Sequence, residues 1–400
     1  MVSVAAPSRV PHLTAVLRDG DRVTSLELFF DLVFVYALTQ CTALMADTPS
    51  WEGLLRAMLI LGVLWWAWVG YAWLTSVVDP EEGSVRLVMF AAMAALLVAA
   101  LCVPGTFGAD ALLFACAYAV VRAAHIALFL LASRGDDALR ASVLGLAAST
   151  ALGVGLLVAA AFTTGGAQLG LWGLALLLDM GGPYLFGAEG WKLVPGHFAE
   201  RHGAIIIIAL GESIAAMGAG SRAVLDGGVV VAVVIGTIVV GALWWLYFDV
   251  VALVAERRLS KAKEGRERNE IARDSYSYLH YPMVAGIALV ALGLKKTLGH
   301  VGDPLGLVAA TAMLGGTALY LVAHVVFRWR NIHTLNVQRL VCAGLLLVML
   351  FLEAELKPPS LATLGALAVL LSGLIIYEAT HFAARRDRIR HQLAREGLPM

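Results

Sequence analysis

Long apolar stretches constrain this chain more than any other feature of its sequence. About twelve such stretches follow one another, each roughly the 20 residues that an α-helix needs to cross a bilayer. We therefore predict an all-α, polytopic membrane protein with about 12 transmembrane helices. The predicted spans are 26–46, 54–76, 85–103, 109–132, 141–163, 168–188, 203–220, 228–254, 277–298, 305–327, 338–356 and 360–383.

The composition excludes soluble, disordered and fibrous proteins. Of the 400 residues, 60% are hydrophobic and only 14% are charged, whereas soluble domains carry about 25% charged residues. The net charge is zero, so no basic surface indicates nucleic acid binding. The four cysteines show no paired spacing, so we expect neither a disulfide framework nor a metal site of the CxxC type. The expected partner is the lipid bilayer, with no cofactor and no metal.

Lysine and arginine are distributed unevenly among the connections between spans. The amino-terminal segment, the even-numbered connections and the carboxyl tail together hold 23 of the 29 basic residues. Because cytoplasmic loops carry the excess of Lys and Arg, we predict cytoplasmic amino and carboxyl termini in a bacterial inner (plasma) membrane. Residues 1–25 lack an apolar region followed by a cleavage site, so the first span is expected to be uncleaved.

The two halves of the sequence resemble each other. Leu64-Trp65-Trp66 in the second span corresponds to Leu243-Trp244-Trp245 in the eighth, which predicts six spans duplicated in parallel orientation. The alternative is accidental alignment of Ala/Leu-rich helices. The predicted division is a cytoplasmic segment (1–25), a first six-helix repeat (26–190), a second six-helix repeat (200–384) and a cytoplasmic basic tail (385–400). Polar residues 256–275 are expected to form a short amphipathic or disordered cytoplasmic segment.

Three motifs carry a resemblance to a known family. The string LELFFDLVFV spans residues 26–35, and Glu200-Arg201-His202 precedes LGESI at 210–214. A third motif, YLHYP at 278–282, is followed by VAG at 284–286. In this order they resemble the bacterial low temperature requirement A family over nearly the whole chain. The resemblance implies a multi-spanning membrane protein and a name taken from growth in the cold, but no substrate or reaction.

Ionisable side chains inside the membrane are the candidate functional residues, because each costs about 2.5–3.5 kcal/mol on insertion. Glu27 and Asp31 lie one helical turn apart on one face. They either pair with a basic loop at the interface or line a cytoplasmic vestibule that binds a cation or proton. Glu212 lies near the middle of the seventh span. The surrounding glycines and alanines, Gly211, Ala215, Ala216, Gly218 and Ala219, predict a closely packed helix there.

The role of Glu212 stays open between two alternatives. A buried carboxyl is expected to be protonated unless a cation pairs with it. Glu212 is therefore either a reversible proton or cation site or a static hydrogen-bonded group.

Arg122 is the single Lys or Arg deep in a span, so a buried carboxylate must accompany it. The candidates are Glu212, Asp179, Asp249 and Glu27. Asp179 precedes Met180-Gly181-Gly182-Pro183, which is expected to break the sixth helix and either build a site or form a kink. His280 beside Pro282 is expected to bond a freed carbonyl or to act as a titratable group.

Two activities compete for these residues. The leading hypothesis is a secondary transporter for a small solute, proton or cation, in which Glu212, Glu27, Asp31, Arg122, Asp179, His280 and Glu200 bind substrate or ion. The alternative is a membrane-embedded enzyme acting on a lipid or isoprenoid, which clustering of Glu27, Asp31, Glu200 and His202 at one interface would favour. A non-catalytic envelope factor is the third hypothesis. No Walker A string is present, so we predict no ATP-driven pump and assign no catalytic residue.

Overall fold

The computed structural model describes residues 22–81, 83–185, 189–220, 226–249 and 251–381. These residues form helices, with no strand among them. Most of the predicted cytoplasmic segment 1–25, and the basic tail 385–400, lie outside the described residues. The all-helical prediction is confirmed for the part of the chain described.

The helices succeed one another with short connections. Their bounds are α1 Ser25–Asp47, α2 Trp51–Thr75, α3 Gly83–Cys102, α4 Ala111–Ala132, α5 Asp137–Ala160, α6 Gly165–Leu185, α7 Pro195–Gly220, α8 Gly227–Phe248, α9 Val251–Lys261, α10 Arg266–Ile271, α11 His280–Gly299, α12 Leu307–Ala310, α13 Gly316–Ile332, α14 Val337–Leu356 and α15 Ser360–His381. A π-helical turn, Ala272–Tyr278, joins α10 to α11, and a second, Thr311–Gly315, joins α12 to α13.

Eleven helical segments of the described residues are long and apolar enough to cross a membrane, which confirms a multi-pass membrane protein. Helix α6 is not among these eleven, because Gln168, Asp179 and several glycines dilute its apolar residues. The predicted count of twelve therefore corresponds to eleven such segments and one further helix of 21 residues.

The expectation that Gly181-Gly182-Pro183 breaks α6 is wrong. The helix continues through Pro183 to Leu185. Pro183 has no N–H to donate to the Asp179 carbonyl, so the helix lacks one hydrogen bond in its last turn but is not interrupted. The hydroxyl of Tyr278 also donates a hydrogen bond to the Met180 carbonyl in the same turn.

The centre of the bundle consists of α2, α11 and α13, whose side chains are mostly buried. Helix α1 packs on α2, α3, α7 and α11. Several packing partners recur six spans later. The contacts of α1 with α3 and of α3 with α4 correspond to those of α7 with α11 and of α11 with α13. The contacts of α4 with α5 and of α2 with α6 correspond to those of α13 with α14 and of α8 with α15.

The polar segment 256–275 is helical rather than disordered. Helix α9 and helix α10 form most of it. Ala255, Leu259 and Ile271 are buried, so each helix has an apolar side against the bundle. The amphipathic alternative is thereby confirmed.

Candidate functional site

The interface between α1 and α7 carries two buried charged pairs. Arg201 Nη2 lies 2.9 Å from Asp31 Oδ1, and Arg201 Nη1 donates to Asp31 Oδ2 at 3.2 Å. Trp68 Nε1 also donates to Asp31 Oδ1 at 2.8 Å. The Asp31 and Arg201 side chains are 0% and 1% exposed, so this bidentate pair is shielded from solvent.

Glu27 forms the second pair one turn earlier. His197 Nε2 lies 2.8 Å from Glu27 Oε1, and both side chains are fully buried. The other carboxylate oxygen of Glu27 accepts the backbone N–H of Thr24, which caps α1, at 2.8 Å. This capping box fixes the Glu27 carboxylate at the start of the helix. His197 Nδ1 lies 3.2 Å from Ser76 Oγ, which holds the imidazole from its opposite side.

These contacts replace both expectations for Glu27 and Asp31. Neither residue lines an open vestibule, because both are fully buried. Their basic partners come from the first two turns of α7 rather than from a loop. The interpretation missed this because it began the seventh span at residue 203, whereas α7 begins at Pro195 and contains His197 and Arg201.

A further signal in the sequence indicated the pairing. His197 and Arg201 are four residues apart, as are Glu27 and Asp31, and residues four apart share one helix face. Two acidic residues and two basic residues at matching spacing can form two ion pairs when their helices pack side by side.

Glu212 lies farther along the same interface. It is 4% exposed, and its carboxylate accepts a hydrogen bond from the hydroxyl of Thr39 on α1. Of the small residues predicted to enclose it, Ala216 is buried, but Gly211, Ala215, Gly218 and Ala219 are exposed on the outer side of α7. Ala209 and Ser213 are buried on the same side as Ala216. A helix therefore does press on Glu212, but it contacts a different face of α7.

Arg122 pairs with a carboxylate, as predicted, and the partner is Asp179. Arg122 Nη2 lies 2.9 Å from Asp179 Oδ1. Thr150 Oγ1 bridges the pair, accepting from Arg122 at 2.6 Å and donating to Asp179 at 2.8 Å. Tyr118 donates to the other Asp179 oxygen at 3.0 Å, and Arg122 Nη1 donates to the Trp66 carbonyl at 3.2 Å. The cluster ties α2, α4, α5 and α6 together.

His280 lies in a buried aromatic cluster at the π-helical turn. Its Nδ1 is 3.1 Å from the Ser275 carbonyl oxygen, and its Nε2 is 2.8 Å from the Tyr247 hydroxyl. The imidazole thus bonds a carbonyl of the π-helical turn, but this carbonyl lies seven residues before Pro282 and is not the one, four residues before it, that the proline frees. The His202 ring lies 5.0 Å from the His280 ring, and Tyr276 stacks on His280 at 5.2 Å. His202 Nε2 and the Tyr276 hydroxyl have no hydrogen-bond partner among the described residues.

Glu200 lies at the exposed edge of the same end of the α1–α7 interface as Glu27 and Asp31. Its side chain is exposed, and its carboxylate accepts the backbone N–H of Val23 at 3.1 Å. Within the described part of the chain, no group of three or more His, Cys, Asp or Glu side chains could hold a metal ion. The buried acidic side chains Glu27, Asp31 and Asp179 instead each contact one basic side chain on another helix.

A cavity lies between α2, α4, α5 and the π-helical turn Ala272–Tyr278. The space in it that a water-sized molecule can occupy is about 50 Å³. Aromatic side chains form most of its wall. They are Trp66, Trp73, Phe129 and Trp191. The tryptophans of the second span thus divide: Trp65 and Trp68 stack in the core with ring centroids 4.9 Å apart, whereas Trp66 and Trp73 face the cavity.

The chain matches known sequences over most of its length. The profile of the family described as bacterial low temperature requirement A protein (LtrA) matches residues 22–376. The chain is also 30% identical over 314 residues to Uncharacterized protein RA0937 of Rhizobium meliloti (strain 1021), which covers 76% of each chain. No solved structure matches the chain.

The three motifs that suggested this family supply several of the buried groups described above. The first motif contains Glu27 and Asp31, the second contains Arg201 and Glu212, and the third contains His280. Since the family profile covers these motifs and nearly all the described residues, the protein is a multi-pass membrane protein of the bacterial low temperature requirement A family.

Proposed function

We propose that the chain is a proton-coupled secondary transporter built from two six-helix repeats, 26–190 and 200–384, that meet along α1 and α7. The observation that carries the proposal is the set of buried carboxylates on this interface. Glu27, Asp31 and Glu212 each contact a side chain across it. In carriers built from repeats, ion and substrate sites lie at the interface between the repeats.

The pairing of α1 with α7 supports an odd number of membrane crossings between them. Glu27 contacts His197 and Asp31 contacts Arg201, and both pairs are separated by 170 residues. A constant separation means that the two helices run in the same direction. We infer from this parallel arrangement that α6 also crosses the membrane, which would give six spans in each half and twelve in all.

The repeated packing order of the helices also supports the duplication. The tryptophan pairs that first suggested it differ in environment, since Trp65 and Trp66 are buried whereas Trp244 and Trp245 are exposed. The agreement between the halves therefore lies in the arrangement of helices rather than in the surroundings of these tryptophans.

Glu212 is the carboxyl that we assign to proton coupling. Asp31 faces the Arg201 guanidinium, so protonating it would leave a buried cation unmatched, and Glu27 is held by His197 and by the cap of α1. The hydrogen bonds of Glu212 come instead from the neutral hydroxyls of Thr39 and Thr42, and Lys295 on α11 acts on it electrostatically from beyond ion-pair distance. A protonated carboxyl can keep these contacts, so Glu212 can gain and lose a proton without breaking a charged pair.

The distribution of basic residues supports cytoplasmic termini in the plasma membrane of the cell. The proposed partners are a small solute and a proton or cation. The enzyme alternative is favoured by clustering of Glu27, Asp31, Glu200 and His202 at one interface, and Glu200 does bond Val23, next to the Thr24 that bonds Glu27. We prefer the carrier because Glu27 and Asp31 are fully buried and each is held by a partner on α7.

Substitution of Glu212 tests the proposal. The variants Glu212→Gln and Glu212→Asp should both fold and insert, but the amide cannot release a proton. In everted vesicles with a preformed pH gradient, we expect wild type and Glu212→Asp to dissipate the gradient on addition of a member of a panel of amino acids, organic acids and metal cations. Glu212→Gln should not respond.

Growth in the cold provides the second measurement. A strain that lacks the protein should be complemented by wild type and not by Glu212→Gln. Full complementation by Glu212→Gln at every pH, with no solute-dependent proton movement in wild-type vesicles, would contradict a carrier and favour an envelope factor without transport.

A further inference from the structure

We propose that a basic patch at the cytoplasmic ends of α6 and α13 binds the phosphate of an anionic phospholipid. The patch consists of Tyr184 at the end of α6, Arg273 and Asp274 in the π-helical turn, and Arg330 near the end of α13. This inference goes beyond the transport function and stands without it, because it concerns lipid binding alone. Its basis is the charge of the patch, its free N–H donors and the apolar side chains beside it.

One carboxylate connects the side chains of the patch. Arg273 Nε lies 2.8 Å from Asp274 Oδ1, and Arg330 Nη2 lies 2.9 Å from Asp274 Oδ2. The Tyr184 hydroxyl donates to Asp274 Oδ1 at 3.0 Å, and the Arg273 guanidinium lies over the Tyr184 ring, 3.9 Å from its centroid. These contacts hold both guanidinium groups in place between the ends of α6 and α13.

The patch carries more positive than negative charge. Arg273 and Arg330 supply two positive charges and Asp274 supplies one negative charge, so one positive charge has no counterion within the patch. The Arg273 and Arg330 side chains are 13% and 30% exposed, so both are partly buried and can be reached from the surface. An anionic group bound there would complement the charge of the patch.

Arg330 keeps N–H donors for a further acceptor. Its contacts with the described residues use Nε and Nη2, both of which donate to Asp274 Oδ2, at 3.1 and 2.9 Å. The two N–H groups on Nη1 are therefore available. A planar guanidinium matches the geometry of phosphate oxygens, which indicates a phosphate as the acceptor.

The helices beside the patch present apolar side chains to the lipid. Leu177 and Tyr184, two turns apart on α6, are 72% and 55% exposed. On α13, Val326 lies one turn before Arg330 and is 37% exposed, and Trp329 is 52% exposed. Tyr and Trp are enriched at the level of the lipid headgroups, where their rings contact both apolar and polar groups. The patch therefore lies at the depth at which a phospholipid has its phosphate.

An anionic phospholipid accounts for the charge and for the apolar side chains together. Its phosphate complements the guanidinium groups, and its acyl chains cover the exposed sides of α6 and α13. A soluble phosphate ester would use the charge alone. A zwitterionic lipid carries its own cation, so it complements the patch less well. Basic residues at the cytoplasmic surface attract anionic lipids in the same way.

Lipid titrations of the wild-type protein test the assignment. We would add phosphatidylglycerol, phosphatidylcholine or soluble glycerol 3-phosphate to the purified full-length protein in an uncharged detergent. Native mass spectrometry would measure binding, and thermal unfolding would measure stabilisation. Phosphatidylglycerol should bind about fivefold more tightly than phosphatidylcholine and raise the unfolding midpoint. Glycerol 3-phosphate at the same concentration should do neither.

Arg330→Gln is the decisive variant, because Arg273 still pairs with Asp274 when Arg330 is lost. It should weaken phosphatidylglycerol binding about fivefold and leave phosphatidylcholine binding unchanged. Arg330→Lys keeps the charge and should recover most of the binding. Arg258→Gln is the matched control, since Arg258 on α9 is 37% exposed and pairs with Glu267 instead of Asp274. Its phosphatidylglycerol binding should equal that of wild type.

Three results would overturn the proposal. They are phosphatidylcholine binding as tightly as phosphatidylglycerol, glycerol 3-phosphate binding as tightly as the lipid, and equal effects of Arg330→Gln and Arg258→Gln. The first two concern the wild-type protein, so they decide the question even if Arg330→Gln does not fold. Transport is not measured in this experiment. The lipid site can therefore fail while the carrier stands, and the reverse also holds.

Discussion

Both terminal nitrogens of Arg201 on α7 contact the carboxylate of Asp31 on α1, and both side chains are buried. One turn earlier the same two helices place His197 against Glu27. Each of the two acidic side chains on α1 therefore contacts a basic side chain on the neighbouring turn of α7.

Breaking the Asp31–Arg201 pair should destabilise the protein strongly. Arg201→Ala leaves a carboxylate buried without its partner, which costs about 3–5 kcal/mol in the free energy of unfolding. Thermal unfolding in detergent should show a large drop in midpoint for this variant. The double variant Asp31→Leu with Arg201→Met removes both charges and should recover most of the loss.

The surface pair Arg56–Glu52 is the matched control. Its side chains are 34% and 55% exposed, and exposed pairs contribute about 0–1 kcal/mol. Glu52→Gln should therefore leave the unfolding midpoint nearly unchanged. A loss for Arg201→Ala no larger than this would mean that water reaches the α1–α7 interface.

Gly70 should resist any side chain, because α2 passes close to α4 there. A Cβ at residue 70 would lie 2.9 Å from the His125 ring and 3.3 Å from Arg122 Nη1. Gly70→Ala should cost about 1–3 kcal/mol through overpacking. Adding His125→Ala makes room and should return part of the stability in the same unfolding assay.

Gly155→Ala serves as the comparison on a neighbouring helix. A Cβ there meets no atom within 4 Å. Alanine is the better helix former by about 0.5–1 kcal/mol, so this variant should be as stable as wild type or slightly more stable. Equal losses at the two glycines would show that the contact of Gly70 with His125 is not the cause.

Arg122→Ala should destabilise the protein by about 3–5 kcal/mol, because Asp179 would stay buried without a cation. Thr150→Val removes only the bridging hydroxyl and should cost less, about 1–2 kcal/mol. Asp179→Asn added to Arg122→Ala should restore part of the loss. If Arg122→Ala unfolds at the wild-type temperature, the Arg122–Asp179 ion pair does not stabilise the fold.

Arg122 also shows how far the sequence could be interpreted. A lone arginine within an apolar span predicts a buried carboxylate, since an unmatched charge there is not tolerated. Which carboxylate supplies it depends on how α4 and α6 pack, and spacing along one chain does not contain that packing. The sequence alone therefore does not distinguish Asp179 from Glu212, Asp249 and Glu27 as the partner of Arg122.

Helix α7 shows the opposite case. Its polar start, with His197, Arg201 and His202, was interpreted as a loop because hydropathy marks membrane helices by their apolar residues. The structure buries these groups. Hydropathy therefore locates the apolar part of a span and misses a charged end that is matched by another helix. Gly211 and Gly218 beside Glu212 are exposed. Small residues allow helices to pack closely but do not require it, so their positions do not predict which face of α7 is buried.

The number of crossings can be tested at the two ends of α6. Parallel contact of α1 with α7 requires that α6 crosses the membrane, although its composition is less apolar than that of the other spans. Thr164 precedes α6, Glu189 follows it, and both are exposed. In a background without the four native cysteines, Thr164→Cys and Glu189→Cys should react with an impermeant maleimide from opposite sides of the membrane.

The labelled side also fixes the orientation. With cytoplasmic termini, Thr164→Cys should react in intact cells, as should His300→Cys as a second external position. Glu189→Cys should react only in everted vesicles, together with Arg134→Cys. If Thr164→Cys and Glu189→Cys were labelled from the same side, α6 would not cross and α7 would run antiparallel to α1. The contacts of Glu27 with His197 and of Asp31 with Arg201, which share one separation, exclude that arrangement, so this result would contradict the α1–α7 interface and the two-repeat proposal together.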